Sequence, residues 1–367
     1  MKKFPLILSL ILVISLLTGC AGTPVVYYTN CTCPASVHED APSTPTAAPE
    51  VPATEAPVLA EGALKTGLAI STSVKKSAAA TADAAGKADY DVTMVAVLVD
   101  DNGVIRDCMI DGIASSIEFD ATGAIATDLT AGPQTKNELG ENYGMVAWGG
   151  AIAEWDAQAE ALANFAVGKT VEELKSGAVS ESGYAPEGTD LASQATIYLG
   201  GYVSTIEAAV ANAKHLGALT GDTLKMATIT SIGDSTAANA ENTGNAQLNV
   251  DVTALTMNGE TITSCAIDSV QAKVAFDATG AITSDVTAPV ATKNELGANY
   301  GMVAWGGAIA EWNEQAASFA AYVTGKTADG VANIAITEAT KPADADLAAS
   351  VTISVIGFIN LIVKAAK

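Results

Sequence analysis

The sequence predicts an α+β protein made of two homologous domains, each an antiparallel sheet with two or three packed helices, after a disordered tether. Three observations carry this prediction. The segment Thr135–Trp155 returns at Thr292–Trp312 with one change, Glu141 to Ala298. Inside each copy, β-branched runs joined by tight turns come first and helical spacing follows. Ahead of both copies lies a stretch dense in proline.

The N-terminus reads as an address. Lys2 and Lys3 precede an apolar run from Phe4 to Leu17, broken only by Ser9 and Ser15. At about 14 residues the run is too short for a hydrocarbon core, which takes about 20 as a helix. It has the layout of a cleavable export signal over residues 1–19. Its end, Leu17-Thr18-Gly19-Cys20, resembles the lipobox of bacterial lipoproteins. That resemblance implies acylation of Cys20 and a protein held by its N-terminal lipid on the outer face of the cytoplasmic membrane. Losing Lys2 and Lys3 would take the net charge from −23 to −25.

Residues 20–62 form the tether. Pro34, Pro42, Pro45, Pro49, Pro52 and Pro57 are six of the twelve prolines in the chain, set among Ala, Thr, Ser and Glu. Such a composition buries too little apolar surface to offset the entropy of ordering. It predicts an extended spacer of ~3 Å per residue. Cys31 and Cys33 sit one residue apart within it. A redox pair, a metal-binding pair and no role at all remain open for them.

The two copies are placed at 64–214 and 224–367. Cys108 matches Cys265, Phe119–Ile125 matches Phe276–Ile282, and Gly168-Lys169-Thr170 matches Gly325-Lys326-Thr327. A period of this size suits a whole domain, so each copy is expected to hold its own core. Asp91–Val99 is β-branched, and Asp100-Asp101-Asn102-Gly103 is a turn leading to a returning strand at Val104–Asp111. Copy two repeats this at 248–257 and 261–268 through Asn258-Gly259. A third strand is expected at Ser116–Phe119 and at Lys273–Phe276. The Lys136–Gly150 segment is glycine-rich and irregular. Ala151–Ala166 has helical spacing, and Thr170 with Glu173 matches a capping box. Ala195–Leu199 reads as a strand, Tyr202–Ala213 as a terminal helix, and Val355–Val363 as a core helix.

Composition excludes several functions. With 41 acidic and 18 basic residues, of which only Arg106 is an arginine, the chain lacks the basic surface a nucleic-acid binder needs. A polybasic membrane patch fails for the same reason. Two histidines, His38 and His215, give no triad, zinc cluster or haem site.

One short motif points to chemistry. Asp190-Leu191-Ala192-Ser193-Gln194-Ala195-Thr196, followed by an apolar stretch and a helix, resembles the attachment motif of FMN-binding domains. That family includes subunits of sodium-pumping and electron-bifurcating complexes and two-domain flavin lipoproteins of extracellular electron transfer. The resemblance implies FMN joined through a phosphodiester to Thr196, with Asp190, Ser193 and Ala195 as the other matching positions. It also implies a separate flavin transferase and a membrane electron donor as partners. Gln194 departs from the family's usual glycine. Copy two reads Asp346-Leu347-Ala348-Ala349-Ser350-Val351-Thr352, keeping only Asp346 and Thr352 of the specific positions. It makes Thr352 the weaker second attachment point.

Physical chemistry accounts for these residue types. Attachment needs an exposed hydroxyl among small neighbours, and a carboxylate can hold a magnesium ion on the phosphate during the transfer. On the plainer reading Thr196 starts a strand and Asp190 fills a turn or cap.

The repeated segment is the second candidate. Tyr143, Trp148, Tyr300 and Trp305 lie among glycines that let a backbone approach a ligand closely. Their rings could stack on an isoalloxazine or fill a core otherwise poor in aromatics. Trp155 and Trp312 are assigned to the core. Lys136 and Lys293 pair either with a phosphate or, by the preferred reading, with Glu138 and Glu295. Cys108 and Cys265 are read as small buried hydrophobes, with an interdomain disulfide as the alternative.

These features together suggest a lipid-anchored electron carrier with covalent FMN, itself converting no substrate, which relays electrons from membrane donors to external acceptors. The alternative is a cofactor-free surface binding or structural lipoprotein with duplicated domains.

Overall fold

The computed structural model describes residues 60–367. The export signal, Cys20, Cys31, Cys33 and nearly all of the tether lie outside the described residues. Strands β1 (Lys65–Ser73), β2 (Gly86–Val99) and β3 (Ile105–Phe119) form an antiparallel sheet in the order β1-β2-β3. Six helices follow: α1 (Lys136–Leu139), α2 (Met145–Gly149), α3 (Trp155–Ala166), α4 (Val171–Ala178), α5 (Asp190–Gln194) and α6 (Gly200–Ala211). The second half repeats the order with β4 (Thr223–Ser231), β5 (Gly244–Asn258) and β6 (Thr261–Phe276). Its helices are α7 (Lys293–Leu296), α8 (Met302–Gly306), α9 (Trp312–Val323), α10 (Ala328–Ala332), α11 (Ala345–Ala348) and α12 (Ile356–Ala366). The fold is α+β, with two three-stranded antiparallel sheets, each with packed helices. No helix among the described residues is long and apolar enough to cross a membrane.

The turns do what their residues dictate. At the β2–β3 hairpin the Asp100 carboxylate accepts the N–H groups of Asn102 (2.9 Å) and Val104 (3.0 Å), and Gly103 takes the left-handed φ of 78°. In copy two Asn258 pairs directly with Thr261 around Gly259. The strands expected at Val104–Asp111 and Ser116–Phe119 are one continuous strand, β3. The third strand of each sheet is β1 or β4 instead, which the sequence reading did not assign.

Strand alternation sends β2 to two different cores. Tyr90, Val92 and Met94 point away from the helices, whereas Val95, Val97 and Val99 lie beneath α3 and α6. This explains why β2 ends in an unbroken apolar run, since both of its faces are covered. The core on the outer face of β2 is shared. Val92 and Met94 from one copy lie in the same cluster as Val250 and Val252 from the other. The core expected in each copy is present, and it is not the whole apolar interior. Each copy has a helix–sheet core, and a third core between the sheets belongs to both. The layers run helix, sheet, sheet, helix.

Equivalent residues meet across this shared core. Phe119 stacks on Phe276 with centroids 4.0 Å apart and planes within 7°. The Ala80 N–H donates to the Gly280 carbonyl, and the Ala238 N–H donates to that of Gly123, both at 2.8 Å. Such reciprocity marks a pseudo-two-fold axis. A Cβ on Gly280 would stand 2.5 Å from the Ala80 methyl, and one on Gly123 would stand 2.7 Å from the Ala238 methyl. The repeated Asp-Ala-Thr-Gly turns are thus contact points between the copies as well as turns. Phe276→Ala should lower unfolding free energy by ~3–5 kcal/mol. Chemical denaturation in urea would measure it; a loss within error of zero would remove the stack from its structural role.

Candidate functional site

The repeated segment hangs between the edge of β3 and helix α3. Thr135 caps α1 by accepting the Glu138 N–H (3.2 Å), and Glu138 accepts the Thr135 N–H in return (2.9 Å). Asp111, buried on β3, accepts the N–H groups of Gly112 (2.7 Å) and Asn137 (3.1 Å). Asn137 donates to the Ile110 carbonyl at 2.9 Å. Glu154 accepts the N–H groups of Met145 (2.8 Å) and Val146 (3.0 Å), fastening the start of α2. Copy two repeats each bond through Thr292, Asp268, Asn294 and Glu311.

This latch fixes the lysine that follows the cap. Lys136 is buried, with Nζ 4.8 Å from the Trp155 ring centre and 5.4 Å from that of Tyr143. Lys293 lies 4.8 Å from the Trp312 ring and 5.3 Å from Tyr300. Ring faces attract a cation, and more strongly once it is desolvated. The preferred sequence reading, pairing of Lys136 with Glu138, is overturned because Glu138 is turned to its own cap and to Lys364. Burial pushes the Lys136 ammonium below its ordinary pKa, with Asp91 acting the other way.

The motif residue Thr196 follows α5. Thr189 caps this helix, accepting the Ala192 N–H at 3.3 Å. Ala195 is buried and anchors the turn, while Asp190, Ser193 and Thr196 are exposed. The strand expected at Ala195–Leu199 does not form. Gln158 of α3, itself fully buried, takes the place of a strand partner. Its Oε1 accepts the N–H groups of Thr196 (2.8 Å) and Ile197 (3.2 Å) and the Thr196 hydroxyl (3.3 Å). Gln315 treats Thr352 in the same way, at 2.8 Å from the amide and 3.3 Å from the hydroxyl. Asp346 is exposed within α11, where Asp344 supplies the cap.

Beside Thr196 lies a cavity of about 420 Å³ whose lining includes Ile197, Lys136, Tyr143, Trp155 and Tyr202. Lys76 and Lys87 also line it, paired with Asp91 (3.4 Å) and Asp89 (2.8 Å). Tyr202 accepts a hydrogen bond from Trp155 Nε1 at 3.0 Å, which orients the indole. Copy two changes the wall at equivalent positions. Phe358 replaces Tyr202, and Asp234 and Asn245 replace Lys76 and Lys87. Gln271 replaces Ala114 and accepts the Tyr300 hydroxyl at 3.2 Å. Among the described residues no cluster of three or more metal-ligating side chains occurs.

The remaining candidates fall elsewhere. Trp148 and Trp305 are each 89% exposed and do not line this cavity. Trp155 and Trp312 are buried, and Cys108 and Cys265 are buried and free. Sequence reasoning missed Gln158, Gln315 and Tyr202. The glutamines carry a signal, because Glu-Trp-x-x-Gln recurs at 154–158 and 311–315. Tyr202 carries none, since the other copy has phenylalanine there. No protein-family model, no curated protein and no solved structure matches this chain.

Burial pushes the Asp268 carboxyl up to about 6, against the hydrogen bonds that lower it. An unfolded aspartate titrates near 3.9, so between about 4 and 6 the folded state holds the extra proton. Stability from this group therefore rises as pH falls from 7 through 6 toward 4, by about 2–3 kcal/mol in all. Asp268→Asn should flatten that part of the stability profile. Urea unfolding of both proteins across the range measures it, and parallel profiles would contradict it.

Proposed function

We propose that the protein is a lipid-anchored, extracytoplasmic electron carrier in which Thr196 bears FMN through a phosphodiester, with Thr352 as a second, weaker acceptor. The observation that carries this reading is the presentation of Thr196. Thr196 is exposed beyond a short helix, held at its backbone and hydroxyl by Gln158, and the next residue, Ile197, lines a cavity walled by aromatic rings and lysines.

The residues present suit the group. A cavity of about 420 Å³ lies in the range of small-molecule sites, ~300–1,000 Å³. Tyr143, Trp155 and Tyr202 offer flat apolar surface for a ring system. Lys76, Lys87 and Lys136 stand against Asp89 and Asp91 in the lining, leaving it one positive charge in excess on a chain of net charge −23. Small neighbours at Ser193 and Ala195 leave the hydroxyl accessible to a flavin transferase, and Asp190 is exposed for that enzyme or its magnesium. When bound, the flavin supplies one- and two-electron redox chemistry. The protein orients it, screens one face from water and carries it near its donor. Copy one is the stronger site, because copy two loses two lysines while gaining only Lys273 in place of Ser116, loses Tyr202 and ties down Tyr300.

A second reading has its own observation. Trp148 and Trp305 stand out at equivalent places, with Val146, Ile152, Val303 and Ile309 exposed beside them. Exposed apolar patches of this kind serve binding, as a duplicated surface module without cofactor would require.

Co-expression with a flavin transferase separates the readings. Intact mass should show one FMN adduct at high occupancy and a second at lower occupancy. Thr196→Ala should remove the major adduct and most of the yellow colour. A colourless protein of unmodified mass, in cells where the transferase flavinylates a control substrate, refutes the carrier.

A further inference from the structure

A larger cavity, about 730 Å³, lies where β1 and the end of α6 meet β6 and α9 of the other copy. Its polar lining consists mainly of acceptors. Glu295, Glu314 and Asp268 contribute carboxylates. Two atoms there are fully buried without a hydrogen-bond partner, His215 Nδ1 and Asn313 Oδ1. The other ring nitrogen of His215 lies 3.0 Å from Asp101. Three carboxylates in one lining suit a ligand rich in N–H. The apolar lining is aliphatic, from Leu68, Leu216, Ala317 and Ala320.

The pseudo-two-fold axis supplies the identity of the missing donor. On the opposite side of the molecule, Lys364 of α12 donates to Glu138 and, at 2.6 Å, to the Thr228 carbonyl. Glu138 keeps its other oxygen for the Thr135 N–H. The equivalents of these groups here are Glu295 and Ile70, and Glu295 likewise spends one oxygen on the Thr292 N–H (2.8 Å). Ile70 shares the strand parity of Thr66 and Leu68, whose carbonyls point off the sheet edge to Lys214 and Asn212. The position equivalent to Lys364 is Ala208. Among the described residues no cationic side chain forms an ion pair with Glu295.

We propose that this inter-copy cavity binds an aliphatic primary ammonium ion of the diamine or polyamine type, its head group taking the place beside Glu295 that the Lys364 ammonium holds beside Glu138. The methylene chain lies along the alanine and leucine wall. The cavity volume exceeds what one lysine side chain needs, so a second amine can reach Glu314. Lys214 is the one opposing lysine in the lining, and three carboxylates outweigh it. The site is independent of the flavin reading, and its binding assay needs no cofactor.

Titration calorimetry of the folded protein with 1,5-diaminopentane, at low and at high salt, tests this. A single saturable site that persists at high salt is expected, above the weak salt-sensitive binding any polyanion shows. Glu295→Gln should weaken it by about tenfold or more. Ala208→Lys should abolish it by placing an internal ammonium on Glu295. Near-ultraviolet circular dichroism checks that each variant keeps its fold. Binding that vanishes with salt, or that both variants leave unchanged, would overturn the proposal.

Discussion

Everything in this structure depends on two sheets covering one another. Each sheet is covered by helices on one face and carries an equally apolar second face, with Tyr90, Val92 and Met94 in one copy and Leu248, Val250 and Val252 in the other. Neither second face can meet water without a large cost in buried area, at ~25 cal/mol per Å². A duplicated chain solves this with itself. The two copies meet about a pseudo-two-fold axis, and Phe119 on Phe276 is the contact nearest to that symmetry.

The axis also explains what the repeated sequence is for. Asp-Ala-Thr-Gly recurs because each turn passes a carbonyl to the other copy, at a glycine where a side chain would collide. The long near-identical segment recurs because one set of latches holds a lysine under a tryptophan in both halves. These are constraints of packing and hydrogen bonding, and they act equally on both copies. Differences between the copies are therefore informative. Tyr202 against Phe358, and Lys364 against Ala208, change what a cavity can hold while the frame stays the same.

Much of this was legible in the chain. The hairpins, α3, the Thr170 capping box, the terminal helices and the buried tryptophans follow from local periodicity and capping chemistry. The shared core was not, because alternation shows that a face is apolar without showing what covers it. The segment after Thr196 misled for a related reason. Its β-branched composition suits a strand, but no strand pairs with it, and a buried glutamine from α3 satisfies its backbone instead.

The sequence by itself determined the duplication, the order of strands before helices, the acidic surface and the threonine motif. Each is written in neighbouring residues, where turn chemistry and side-chain periodicity act over a few positions. Only the tertiary structure decided where Lys136 points, which groups surround Thr196, and that Glu295 lies without the lysine its counterpart has. Those outcomes depend on contacts between residues far apart in the chain, such as Glu138 with Lys364 and Thr196 with Gln158. Packing selects such partners among many of equal local propensity, so no local pattern records the choice.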